Sequence, residues 1–399
     1  MRIVHVITRL ILGGAQENTL LTVEGLHHAY RDDVTLITGP AEGPEGDLFA
    51  RAEAQRLKVE LMPELVRPIQ PLADWRAYWK LRAAFHRLKP DVVHTHSSKA
   101  GILGRAAAWD ERVPAVVHTI HGLPFGPFET PTRNRLYIAL ERWAARRCHA
   151  IVGVCDAMTT QALVAGVGRP EQYLTVYSGM DADAFLNPPR PRGEVRRELG
   201  LADDDVAFAT VARLFELKGH DDILAIAQRV VSENPRVRFV WIGDGIFRAR
   251  LLAEIDRLGL QSSFILTGLV PPGRVPELLQ AVDAVIHPSL REGLARVLPQ
   301  SLLVGRPVIS YDIDGAREVV VPDTGILLRP RDLEGLAGGI LRLAGAPALR
   351  AAMGAEGRRR FAEKFHHETM TRELRLLYER LLAGGAAGCG DRHSLAVGS

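Results

Sequence analysis

Short apolar runs alternate with longer amphipathic stretches along almost the whole chain, and partway through the pattern starts again. The first series reads as strands at Ile3–Thr8, Asp33–Ile37, Asp91–His96, Ala115–Thr119 and Ala150–Val154, with a helix at Ala15–His28. The second reads as strands at Val206–Val211, Arg238–Ile242, Ser263–Thr267, Ala284–His287 and Pro307–Ser310. Helices at Asp221–Glu233, Arg248–Leu258, Val275–Leu279 and Leu298–Val304 separate these. Apolar strands spaced by helices are the mark of parallel sheets covered on both faces. The expected fold class is α/β, as two domains facing each other across a cleft. A chain of 399 residues has room for them at roughly 150 residues per domain. The expected divisions are a first domain over 1–183 and a second over 184–368. A terminal amphipathic helix over 369–382 packs back on the first, and a small, polar, disordered tail fills 383–399. The Pro- and Arg-rich stretch Asn187–Gly193 reads as the linker.

Composition removes several classes of function. A formal net charge of +3 does not call for a nucleic-acid partner. Cys148, Cys155 and Cys389 lack metal-ligand spacing and cannot form a disulfide framework, which fits a reducing cytoplasm. No apolar run approaches the roughly 20 residues that span a bilayer. The stretch Ile3–Leu12 is broken by His5, Thr8 and Arg9 and runs into Gly13-Gly14, so it reads as a buried strand and not as a signal peptide.

Ligands of open α/β sheets sit beyond the carboxyl ends of the strands, where most of the unusual residues of this chain fall. Gly13 and Gly14 follow the first strand and open a helix, a place where backbone can approach phosphate; a plain tight turn explains the pair equally well. Arg213 and Lys218 follow the first strand of the second half and can converge on one diphosphate, the Arg as a fork and the Lys as a point charge. A solvated pair of cations is the plainer account of the same residues. From His287 through Glu292-Gly293 to Gln300 the chain runs from a strand end through a glycine loop into a helix. Glu292 there can accept from sugar hydroxyls, or simply be an acid favoured by the helix dipole. His94, His96, His118 and His121 cluster at two strand ends, where they can donate to a substrate oxygen. Metal is the weaker reading, because no carboxylate partners them at tight spacing. Asp203-Asp204-Asp205 reads as a polar turn, and Asp312 with Asp314 as a weak candidate for a cation.

Taken in order, these segments resemble the family 4 glycosyltransferases from Met1 to about Leu382. The marks are Gly-Gly after the first strand, Ala212-Arg213-Leu214 with Lys218-Gly219-His220, Gly243-Asp244-Gly245 after a strand, and Pro288-Ser289 with Glu292-Gly293-Leu294. Tyr177–Asp181 followed by Phe185 is similar to the family's segment at the domain junction. The resemblance implies the GT-B fold of two Rossmann-like domains, and a donor that is a UDP- or GDP-linked sugar, with no cofactor or metal. It implies that Arg213 and Lys218 neutralise the departing diphosphate, that Glu292 holds sugar hydroxyls, and that His121 contacts the sugar near the reacting carbon. Gly13, Gly14, Gly243, Gly245, Gly293, Leu294, Ala295, Arg296, Val297 and Gln300 would line the donor; His96 and Lys99 would stand on the acceptor side. Three positions depart from the family's pattern: Gln300 replaces a second glutamate, Ala295 a proline, and Asp314-Gly315 a glycine pair.

The implied reaction is transfer of a hexosyl or N-acetylhexosaminyl group with retention, the leaving diphosphate being stabilised by preorganised charge. Two rivals stay open: a sugar-nucleotide epimerase on a similar fold, and a non-catalytic sugar-nucleotide binder, the latter motivated by Gln300. Asp74–Lys89 and Arg135–Arg147 mix aromatic with basic residues. They fit contact with anionic lipid, hence a lipid-linked glycan acceptor in envelope or exopolysaccharide synthesis at the inner face of the membrane; core helices with solvated outer faces fit as well.

Overall fold

The computed structural model describes residues 1–41 and 46–390, with side chains as far as residue 384. The chain forms two compact units, one of Met1–Met180 together with the chain from His366 onward, the other of Asp181–Phe365.

The first unit carries β1 (Arg2–Ile7), β2 (Asp33–Thr38), β3 (Lys58–Leu61), β4 (Val92–His96), β5 (Ala115–Ile120), β6 (Ala150–Gly153) and β7 (Tyr173–Thr175). They form one sheet in the order β3-β2-β1-β4-β5-β6-β7, and every pairing is parallel. Parallel neighbours need long crossovers, which the helices Gly14–His28, Pro71–Leu88, Ser98–Asp110 and Pro131–Ala145 help to supply. All five residues of β4 are buried, as strands covered on both faces require. Ile3, Val34, Val92 and Val117 pack with Leu21 and Leu26, and with Met370, Leu374, Leu377 and Tyr378 from the last helix, His367–Gly390. Each such apolar side chain removed from water contributes about 1.5–3 kcal/mol. Arg105 and Glu141, both buried and 2.7 Å apart, tie the helix Ser98–Asp110 to the helix Pro131–Ala145.

The second unit carries β8 (Val206–Val211), β9 (Val237–Ile242), β10 (Phe264–Gly268), β11 (Ala284–His287), β12 (Val308–Tyr311) and β13 (Gly325–Leu328). Its sheet, also parallel throughout, runs β10-β9-β8-β11-β12-β13. Phe208, Phe239, Trp241, Ile286 and Ile309 form its core with Ile223, Leu251 and Ile340 from flanking helices. In both sheets the strand order reverses beside the first strand, between β1 and β4 and between β8 and β11. Such a reversal leaves a crevice at the carboxyl ends of the two strands, the usual ligand position in doubly wound sheets.

Three expectations change. Asn187–Gly193 is no linker: it lies inside the second unit, where Arg190 pairs with Glu194 and Glu198, and Arg192 with Asp283 at 2.8 Å. The chain passes between units at Met180–Asp181 and again at Phe365–His366. Ala383–Gly390, expected in a disordered tail, continues the last helix, while 391–399 lie outside the described residues. Among the described residues no helix is long and apolar enough to cross a membrane.

Candidate functional site

In the second unit the loops that leave β8 and β11 are stitched together. The backbone N–H of Leu290 donates to the Leu217 carbonyl at 2.8 Å, and Ser289 Oγ donates to the same oxygen at 3.1 Å. The approach is so close that a Cβ on Gly219 would lie 2.1 Å from the Pro288 carbonyl oxygen, and Gly219 has φ +77°. Only glycine fits there. Leu217 is also left-handed, at φ +64°, a conformation that a branched residue adopts only when its surroundings impose it.

This loop aims Lys218 at Glu292, with Nζ donating to Oε1 at 2.6 Å. His287 Nε2 lies 3.2 Å from the same oxygen, out of line for a hydrogen bond. From the loop after β12, Asp314 Oδ2 accepts from the Glu292 backbone N–H at 2.8 Å, and the Gly315 N–H donates to the Gly293 carbonyl at 3.2 Å. Glu292 is thus anchored from three strand ends while its side chain keeps 19% of its surface exposed. Burial opposes its ionisation, but the charge of Lys218 and the nearby His287 outweigh that and keep its carboxyl well below the usual carboxylate range.

Arg213 stands just beyond β8, its guanidinium 5.5 Å from the Phe215 ring centre. Gly243 and Gly245 let the loop after β9 lie against this segment: a Cβ at either would fall 2.2 Å or 2.4 Å from the carbonyl oxygens of Ala212 and Leu214. Leu294, Ala295 and Val297 are buried, and Arg296 and Gln300 are half-buried where the helix Val297–Leu303 begins. The two carboxylates that sequence suggested for a cation have other partners. Asp312 pairs with Arg317, and Asp314 holds Glu292.

In the first unit Gly13 and Gly14 open the helix Gly14–His28 behind β1. Thr8, at the end of β1, bonds through Oγ1 to Ser97 Oγ at 2.8 Å and accepts from the Ala100 N–H, fastening β1 to the turn after β4. Lys99, expected on the acceptor side, is ion-paired with Asp74 and bonded to the Pro68 carbonyl, which commits its ammonium to anchoring the segment before the helix Pro71–Leu88.

The histidines form a buried array. His5 Nδ1 lies 2.9 Å from His96 Nε2, and His96 Nδ1 lies 3.1 Å from His121 Nε2. His94 bonds to Tyr378 on one side and to Thr119 at 2.7 Å on the other, and His118 bonds to Thr95 at 2.9 Å. Burial pushes His5 down to about 3 and holds His94, His96 and His118 well below the ordinary imidazole value, so all four are neutral. His5, His94 and His96 are also close enough to hold a cation, with ligand atoms within 4.8 Å of one another. Yet the paired nitrogens of His5 and His96 face each other, and both nitrogens of His94 have other partners. These are the marks of hydrogen-bonded imidazoles. His5 could not be found from its local sequence; the parallel register of β1 on β4, which sets His5 beside His94, brings it in.

The family described as glycosyl transferases group 1 matches residues 191–360, and the glycosyl transferase 4-like domain matches residues 13–179. The chain is 28% identical over 348 residues to the UDP-Gal:alpha-D-GlcNAc-diphosphoundecaprenol alpha-1,3-galactosyltransferase of Escherichia coli, covering 86% of this chain and 88% of that one. It is 26% identical over 339 residues to the 2-deoxystreptamine glucosyltransferase of Streptomyces kanamyceticus, covering 79% and 87%. The crystal structure of Anabaena Alr3699/HepE in complex with UDP-glucose superimposes with a TM-score of 0.79 at 23% identity, over 95% of this chain and 100% of that one. The two sheets share the GT-B architecture with that structure, the two families between them take up most of the chain, and the charged strand ends lie where such a fold binds ligand: the chain is a family 4 glycosyltransferase.

Proposed function

We propose that this enzyme transfers a hexosyl or N-acetylhexosaminyl group from a UDP- or GDP-linked sugar, with retention at the anomeric carbon and without a metal. The observation that carries the proposal is the Lys218–Glu292 pair, fixed at the carboxyl ends of β8, β11 and β12. Glu292, ionised at neutral pH, accepts from hydroxyls of the transferred sugar. Lys218 and Arg213 compensate charge on the departing diphosphate, a preorganised field that acts where charge develops. His121 donates to the sugar. A diphosphate oxygen receives the acceptor's proton, so the reaction needs no separate base. Two cations already serve the diphosphate, which is the support for a metal-free site. The thermal midpoint will rise with one nucleoside diphosphate among UDP, GDP and ADP, equally with and without EDTA, and Arg213→Ala will abolish the rise. No shift with any nucleotide, or one that EDTA removes, overturns the donor site or its metal independence. An inverted product anomer, read from its proton coupling, overturns retention.

The acceptor we propose is a lipid-linked glycan at the cytoplasmic face of a membrane. The helix Pro71–Leu88 exposes 60% of Trp75 and 47% of Trp79, beside Arg76 and Lys80. Rings that core packing would have covered are available to a lipid surface. The Escherichia coli relative's name also specifies a lipid-diphosphate acceptor. The protein will sediment with anionic vesicles, and Arg76→Glu with Lys80→Glu will keep it in the supernatant. Failure of the unaltered protein to sediment removes the membrane from the proposal.

A further inference from the structure

The imidazole chain His5–His96–His121 has a direction that its chemistry determines. Each neutral imidazole carries one N–H donor and one lone-pair acceptor, so three rings joined by two bonds admit only two arrangements. In one, His5 donates from Nδ1 to His96, which donates from Nδ1 to His121 Nε2, and the proton of His121 resides on Nδ1. In the other every bond is reversed, and the proton of His5 resides on Nε2.

His5 Nε2 is buried and has no hydrogen-bond partner. A proton there would be a buried N–H without an acceptor, which is rarer and costlier than a lone pair left without a donor. The second arrangement creates that orphan and the first avoids it. His5 is wholly buried, and His96 nearly so, on neighbouring parts of the β1–β4–β5 sheet, so neither ring can turn to water to settle its nitrogens. The ring planes of His5 and His96 are only 12° apart with centres 5.2 Å apart, the edge-to-edge arrangement that a hydrogen bond between ring nitrogens requires.

We propose that this row of imidazoles sets the tautomer of His121: His5 and His96 act as positioning residues, so that His121 Nε2 accepts from within the fold and Nδ1–H is its donor. The inference rests on the reading of His121 as the sugar contact and deepens it. A ring whose Nε2 already accepts cannot take a second proton there without reversing both bonds behind it. His121 therefore serves as a hydrogen-bond donor to a sugar oxygen and not as a base. The burial that holds His5 and His96 neutral supports the same assignment.

The test is long-range proton–nitrogen NMR on full-length protein labelled at histidine nitrogens, with the His121 signals assigned by their loss in His121→Gln. The expected pattern is an Nδ1–H tautomer in the unaltered protein. His5→Leu, which removes the first donor, will mix the tautomers and lower kcat roughly tenfold with little change in the donor KM, as loss of a supporting hydrogen bond does elsewhere. His5→Asn, whose amide can donate from the position of Nδ1, will restore both the pattern and the rate. An Nε2–H tautomer at His121, or one that His5→Leu leaves unchanged, overturns the inference; the unaltered protein alone decides the first point even should the variant fold poorly. A rate lowered by His121→Gln but not by His5→Leu overturns the positioning role. A tautomer that shifts as expected, with a rate indifferent to His121→Gln, instead overturns the sugar contact and leaves the chain's direction standing.

Discussion

Acidification from about pH 7 to about pH 5 will melt the first unit before the second, in two separate transitions. In the unfolded chain each imidazole binds a proton near its ordinary value of about 6.5. In the native first unit His5 does so only at about 3, and His94, His96 and His118 lie well below 6.5. Below pH 6.5 the unfolded form therefore binds more protons than the native form, and stability falls as pH falls until the native values are reached. His5 alone removes about 2 kcal/mol by pH 5, by the same linkage, and His94, His96 and His118 act in the same direction. Losses of that size are a large fraction of the stability of an ordinary domain, about 5–15 kcal/mol. The second unit has one comparable group, His220, lowered to about 4 by burial beside Trp241. Calorimetry across this range will show the lower-temperature transition moving steeply with pH and the upper one moving much less. A single transition that keeps its midpoint down to pH 5 would falsify the assignment of these rings as buried and neutral.

Glu292→Gln and Lys218→Ala will each lower kcat/KM by about 10²–10³-fold, and the double variant will be little worse than either single one. The amide that Glu292→Gln introduces keeps an acceptor but loses the charge that matches Lys218; Lys218→Ala leaves the carboxylate with His287 as its remaining neighbour. Residues in one hydrogen-bonded unit are not additive, because the first substitution already destroys the arrangement the second would remove. Steady-state rates of the four proteins close the cycle. Strictly multiplicative losses would show that Lys218 and Glu292 act on separate parts of the donor, and the proposed shared site would be wrong.

The central strands were legible because burial on both faces writes itself as a near-continuous apolar run, as in Ile3–Ile7 and Val206–Val211. The strands β3, β7 and β13 were not: each has three or four residues, stands at a sheet edge, and is partly exposed, so its pattern does not differ from a loop. Asn187–Gly193 misled for another reason. Proline and arginine usually mean a solvated connection, and nothing local shows that Asp283, far along the chain, will pair with Arg192 and Arg196. In the candidate site, Lys218 and Glu292 were readable as types at strand ends, but their ion pair depends on the Leu217–Leu290 contact between distant loops. The partnership of His5 depends on strand register, which only the assembled sheet supplies.

The first unit is built from both ends of the chain, and this sets a timetable for synthesis. A ribosome releases β1 to β7 first, yet Met370, Leu374, Leu377 and Tyr378, which close their core, emerge only after all six strands of the second unit. The second unit is a continuous segment that can finish folding while the first still waits with an open apolar flank. Until Tyr378 arrives, His94 also lacks the phenol that bonds its Nδ1. The nascent protein is therefore most exposed to misassociation and to proteolysis in its earliest-made half, and its last helix is the piece that ends that interval.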